Sequence, residues 1–111
     1  MSNNPVHDYI RELVTKDRVV LFMKGTKFFP QCGFSARAIE ILKRSGAQFS
    51  TFDVLSDPAV RDGVKTFSSW PTIPQLYIDG QFVGGSDIML EMYESGELQE
   101  LINKAPAAPQ S

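Results

Sequence analysis

VVLFMKGTKFFPQCGFSARAIEILKRSG, residues 19–46, is the stretch whose reading decides the fold. It opens on Val19–Met23, a short apolar run rich in β-formers, which suits a buried strand. Residues 25–31, GTKFFPQ, read as a loop. From residue 33 to 45 the apolar positions Phe34, Ala38, Ile41 and Leu42 keep helical spacing, and Gly46 suits the stop. A second, loosely alternating β-run covers 49–54. Two strands joined through a helix are expected to lie parallel.

Before this unit, residues 5–16 carry Val6, Tyr9, Ile10, Leu13 and Val14 at helical spacing, with Asn4 as N-cap ahead of Pro5. After it, Ser56-Asp57-Pro58 starts a helix to about Phe67. Two prolines in WPTIP, 70–74, interrupt regular structure. Residues 75–78 and 81–83 flank Asp79-Gly80 and predict a hairpin, ended by Gly84-Gly85. Ser86 or Asp87 is expected to cap a helix to about Ser95, broken by Gly96, and 98–103 form a last short helix. The tail APAAPQS, 105–111, is expected to be disordered, leaving 1–104 as one domain. The element order predicts an α/β fold of the thioredoxin-like kind: a four-stranded mixed sheet flanked by helices on both faces.

The chain has 111 residues, enough to bury a core without a structural metal or disulfides. A net charge of −2 implies no broad attraction to nucleic acid. One cysteine excludes an internal disulfide and a zinc site built from cysteines. No stretch approaches the length of a membrane span, and MSNNPVHDYI has neither the apolar run of a signal peptide nor the basic bias of a transit peptide. A reducing cytoplasm is the expected location.

Cys32 follows a strand and a loop and precedes a helix. At a helix N-terminus unpaired N–H groups and the dipole favour an anion, by roughly 0.3–1 kcal/mol when exposed and about 2 when partly buried. Since about 1.36 kcal/mol is one pKa unit, the thiol is expected to titrate well below about 8.5. Lys24, at the end of the strand, adds positive charge. The expectation is a thiolate able to act as nucleophile or metal ligand; a buried, inert thiol is the competing reading.

Three segments sharpen this. FMKGTKFFPQCGFS (22–35), WPTIPQLY (70–77) and GGSDI (84–88) resemble, in order and spacing, the signature segments of monothiol glutaredoxins, often called the CGFS type. The resemblance covers roughly 5–103. Dithiol relatives carry a resolving cysteine where this chain has Ser35, and a hydroxyl cannot resolve a mixed disulfide. They tend to carry proline where this chain has Gly33, whose freer backbone lets Cys32 turn. Both changes suit a metal ligand.

The resemblance implies a site for glutathione and a [2Fe–2S] cluster. Such a cluster usually takes four thiolates; one chain offers one and a dimer two. The family's answer is two bound glutathione thiols, with a homodimer when cluster-bound and a monomer when apo, passing the cluster to recipient iron–sulfur proteins. The alternative function is glutathione-dependent monothiol oxidoreduction, removing glutathione from protein cysteines. By resemblance Lys24 and Arg61 meet the glycine-end carboxylate, for which a guanidinium fork is suited. Gly85, Ser86 and Asp87 offer helix N–H groups to the γ-glutamyl carboxylate, and Asp87 faces the ammonium. Ile73, before an expected cis Pro74, pairs its backbone with the tripeptide like an added strand, with Thr72 beside it.

Blander readings stand beside these. Lys24 can be a solvated lysine, Arg61 and Lys65 a solvated helix face, Trp70 simple packing, and Asp87 only a cap. His7 has no assigned role, and Met89 and Met92 are read as core. Two departures from the family pattern are Ser86, where many members have cysteine, and the aromatic pair Phe28-Phe29. That pair can shield a cluster, form a dimer contact, or pack against the core.

Overall fold

The computed structural model describes residues 4–104; the expected disordered tail, 105–111, lies outside them. The elements run α1 (Pro5–Lys16), β1 (Val19–Met23), α2 (Gly33–Arg44), β2 (Ser50–Asp53), a 3₁₀ turn (Val54–Ser56), α3 (Pro58–Ser68), β3 (Gln75–Ile78), β4 (Gln81–Gly84), α4 (Ser86–Ser95) and α5 (Glu97–Asn103). Sheet order is β2-β1-β3-β4. β1 is parallel to β2 and antiparallel to β3, and β3 is antiparallel to β4. This is the expected mixed four-stranded sheet.

Period-2 alternation sorts the central strands between two cores. Val19, Leu21, Met23, Leu76 and Ile78 pack with Ala38, Ile41 and Leu42 of α2, Met89 of α4 and Leu98 of α5. Val20, Phe22 and Tyr77 pack with Ile10 and Val14 of α1 and Val60 and Val64 of α3. All five β1 residues are buried, because helices cover both faces. Met89 is fully buried and Met92 packs partly buried against the same core, as expected.

The local signals act as read. Asn4 accepts from the Val6 and His7 amides at the start of α1, and Asp57 accepts from the Val60 amide at the start of α3. Asp79 and Gly80 take φ of 52° and 78°, a left-handed pair that suits a two-residue hairpin. Arg18 clamps this turn through an Asp79 ion pair at 2.9 Å and donates to the Ile102 carbonyl.

Two expectations need correction. The second strand is shorter than 49–54, because Asp53 Oδ1 accepts from the Leu55 amide and tightens the chain into the 3₁₀ turn, with Val54 buried in the α1–α3 core. Neither Ser86 nor Asp87 caps α4: Gly85 is the N-cap and no side chain closes it. Gly85 sits there because the backbone passes close by; an added Cβ would lie 3.3 Å from the Pro74 carbonyl oxygen.

Candidate functional site

Cys32 is the N-cap of α2, with extended backbone, and its carbonyl accepts the first helical bond from Ala36 at 2.9 Å. It is neither buried in hydrocarbon nor fully exposed. Its side chain makes no capping bond, and its pKa is lowered. The largest cause is the Ser35 amide; burial opposes it; the Phe34 amide, the Lys24 charge and the Ser35 hydroxyl assist. The amides of the first turn thus select the anion, as a helix N-terminus does.

The loop ahead of Cys32 is fastened at several points. Gly25 has φ of 93°, and an added Cβ would lie 2.5 Å from the Phe29 carbonyl oxygen, so the loop needs glycine there. The Gly25 amide donates to Asp53 Oδ1 at 2.9 Å, and the Gln31 amide to the Lys24 carbonyl at 2.8 Å. Ser35 is completely buried, and its hydroxyl accepts from the Lys24 amide at 3.0 Å. Ser35 therefore joins the end of β1 to α2, a role that its reading as a missing resolving thiol did not anticipate.

A cleft of about 400 Å³ opens beside Cys32. Lys24, Phe34 and Lys65 line it with the segment from Trp70 to Pro74 and the residues Gly85–Ile88. Of the residues singled out in the sequence, Cys32, Lys24, Thr72, Ile73, Pro74, Gly85, Ser86 and Asp87 meet here, and Arg61 does not line the cleft. Lys65, one helical turn further along α3, does. Its carbonyl accepts from the Trp70 amide at 3.1 Å, so the end of α3 leads directly into the cleft wall. The Ile73–Pro74 bond is cis. Asp87 is exposed at the start of α4, with Arg37 Nη1 3.9 Å away. Trp70 stacks tilted on Phe82 at 5.8 Å between ring centres, so packing and cleft lining are the same role.

Gln75 is the residue that sequence reasoning missed. It is fully buried, yet its Nε2 donates to the Trp70 carbonyl at 3.0 Å and the Thr72 carbonyl at 3.2 Å. Its Oε1 accepts from the Tyr77 hydroxyl at 3.1 Å. One amide thus fixes the cleft wall to the sheet. A polar residue directly after Pro74, in a strand otherwise apolar, was the available signal. His7, given no role, bonds Thr66 Oγ1 at 2.7 Å and packs edge-on to Phe67, holding α1 to α3.

Comparison with known proteins agrees with this geometry. The family model described as Glutaredoxin matches residues 19–83. A Synechocystis sp. protein named "Uncharacterized monothiol glutaredoxin ycf64-like" is 56% identical over 99 residues, covering 89% of this chain and 92% of its own length. "Probable monothiol glutaredoxin 2" of Rickettsia prowazekii is 49% identical, covering 92% of this chain and 95% of its own. The solution structure of reduced poplar apo GrxS14 superposes with a TM-score of 0.79 at 53% identity, covering 91% of this chain and 93% of that one. With its single cysteine at the head of α2, this chain belongs to the monothiol glutaredoxins.

Proposed function

We propose that this chain binds glutathione in the cleft and, as a homodimer, carries a [2Fe–2S] cluster that it delivers to recipient iron–sulfur proteins. The observation that carries the reading is the meeting of Cys32 with two cations, Lys24 and Lys65, and the N-terminus of α4 around one cleft. Glutathione carries two carboxylates, one ammonium and a thiol. Lys24 and Lys65 serve the glycine-end carboxylate, with Arg61 one helical turn before Lys65 on α3. The amides of Ser86 and Asp87 serve the γ-glutamyl carboxylate, the Asp87 carboxylate takes the ammonium, and the Ile73 backbone pairs with the tripeptide.

The donor set suits shared rather than enclosed cargo. Among the described residues no group of three or more His, Cys, Asp or Glu side chains could hold a metal ion. Cys32 offers one thiolate at the edge of the cleft, its anion favoured by the α2 amides. Two chains and two glutathione thiols complete four ligands. In this scheme Cys32 supplies the protein ligand, the Ser35 and Phe34 amides with help from the Lys24 charge favour its anion, and dissociation of glutathione frees cargo without unfolding the chain. The apo protein is a monomer. No helix of the described residues is long and apolar enough to cross a membrane, and the proposed location is the cytoplasm; relatives bear chloroplastic and mitochondrial names.

Anaerobic reconstitution with iron, sulfide and glutathione is expected to give a brown protein with charge-transfer absorption, abolished by Cys32→Ser. A colourless protein with brisk glutathione-dependent disulfide reduction overturns the carrier role in favour of deglutathionylation, which uses the same thiolate as nucleophile.

A further inference from the structure

The turn ahead of Cys32 holds two aromatic rings out in solvent. Phe28 is 79% exposed and Phe29 73%, so neither packs against the core. The backbone beneath them is pinned. The Phe29 amide donates to the Thr26 carbonyl at 3.1 Å and also meets its hydroxyl at 3.1 Å, while the Thr26 amide returns a bond to the Phe29 carbonyl at 3.2 Å. Lys27, at the tip, donates to the Phe49 carbonyl at 2.9 Å and lies 4.0 Å over the Phe49 ring. A preorganised turn loses little freedom when its rings are covered, and neither ring belongs to the two hydrophobic cores.

We propose that Phe28 and Phe29 are the apolar contact for a second copy of this chain, seated over the Cys32 end of the cleft. The inference rests on the cluster reading: with one thiolate per chain, a second Cys32 must approach the first. Only Pro30 and Gln31 separate Phe29 from Cys32, at most about 11 Å of chain, so a copy sharing a cluster reaches this turn. Area sets how much the rings can do. An aromatic side chain buries roughly 150–250 Å². Four rings, each about three-quarters free, remove about 450–750 Å², short of the roughly 1,200 Å² of a stable specific interface. The rings alone therefore do not hold a stable dimer, and the shared ligands of the cluster reading supply the rest of the contact. A membrane surface would require a basic rim, and the one cation of the turn, Lys27, is already engaged.

The test is sedimentation velocity on a dilution series of the full chain, reconstituted anaerobically with iron, sulfide and glutathione, beside Phe28→Ser/Phe29→Ser. Both apo proteins are expected to be monomers with the same glutathione affinity and the same pH profile of Cys32 alkylation. The loaded wild type is expected to be a dimer, and the loaded variant to dissociate at a concentration at least tenfold higher. A loaded variant dimer as tight as wild type overturns the role of the rings and leaves the cluster reading standing. An unchanged dimer that delivers its cluster more slowly to an apo-ferredoxin assigns the rings to the recipient and likewise overturns the proposal. A wild type that takes up no cluster overturns both.

Discussion

Replacing Gln75 by Leu keeps the volume of the side chain and removes its hydrogen bonds, which isolates the device that anchors the cleft wall. The two bonds from Nε2 end on carbonyls of Trp70 and Thr72, residues that water reaches, so each is worth about 0.5 kcal/mol, the low end for a neutral bond. The third partner is different. Tyr77 is almost wholly buried, and burial pushes its phenol up to about 12, so it remains a donor at any working pH. Losing its acceptor costs about 1–3 kcal/mol, towards the low end because the Ser68 side chain also hydrogen-bonds the phenol. The sum is about 2–4 kcal/mol, a large share of a domain stability of roughly 5–15 kcal/mol. Adding Tyr77→Phe removes the hydroxyl that has lost its Gln75 acceptor and should return about 1 kcal/mol, although the two changes are in contact and need not add. Urea unfolding of wild type, both single variants and the double variant measures the cycle. If Gln75→Leu costs under 0.5 kcal/mol, or the double variant is no more stable than Gln75→Leu alone, the hydrogen-bonded amide is not what holds the wall.

Other consequences follow from the same geometry. The pH midpoint of Cys32 alkylation should lie below about 8.5, and Lys24→Met should raise it only partly, because the Ser35 and Phe34 amides remain. Since the folded thiol pKa is depressed, its contribution to stability is full above the unfolded value and is lost as pH falls through the folded one; wild type should therefore lose stability relative to Cys32→Ala as pH drops through the alkylation midpoint. Lys65→Ala should weaken glutathione binding by about 1.5–3 kcal/mol, the range for charged hydrogen bonds, and Arg61→Ala by less; calorimetry giving the reverse order would place Arg61 at the carboxylate. Gly25→Ala puts a Cβ 2.5 Å from the Phe29 carbonyl oxygen at a φ of 93°, so thermal unfolding should show a loss of at least about 2 kcal/mol.

What could be read from the sequence was what neighbours in sequence decide. Asp79-Gly80 dictates its own turn, Asp57-Pro58 its own helix start, and VVLFM its burial on both faces. The single cysteine between a loop and a helix was legible as the residue at the head of α2 for the same reason. The features that escaped depend on distant chain. Ser35 looks like a vacant resolving position until Lys24, eleven residues earlier, is folded against it. Gln75 looks like an ordinary strand residue until the turn at Pro74 brings the Trp70 and Thr72 carbonyls over it. Arg61 and Lys65 share a helix face and differ only by about 6 Å along the axis; which one reaches the cleft depends on where α3 stops. Gly85, not Ser86 or Asp87, is the α4 cap, and the Pro74 carbonyl, eleven residues earlier, leaves only a tight 3.3 Å for a Cβ there.

Native mass spectrometry of the anaerobically loaded protein counts the partners outright. Ligation of the iron by Cys32 together with a docked tripeptide thiol predicts one dominant species: two chains, two iron, two sulfide and two glutathione, falling to bare monomers when glutathione is withdrawn or Cys32 is changed to serine. A loaded species that retains its iron without glutathione, or that holds it on a single chain, would contradict that coordination.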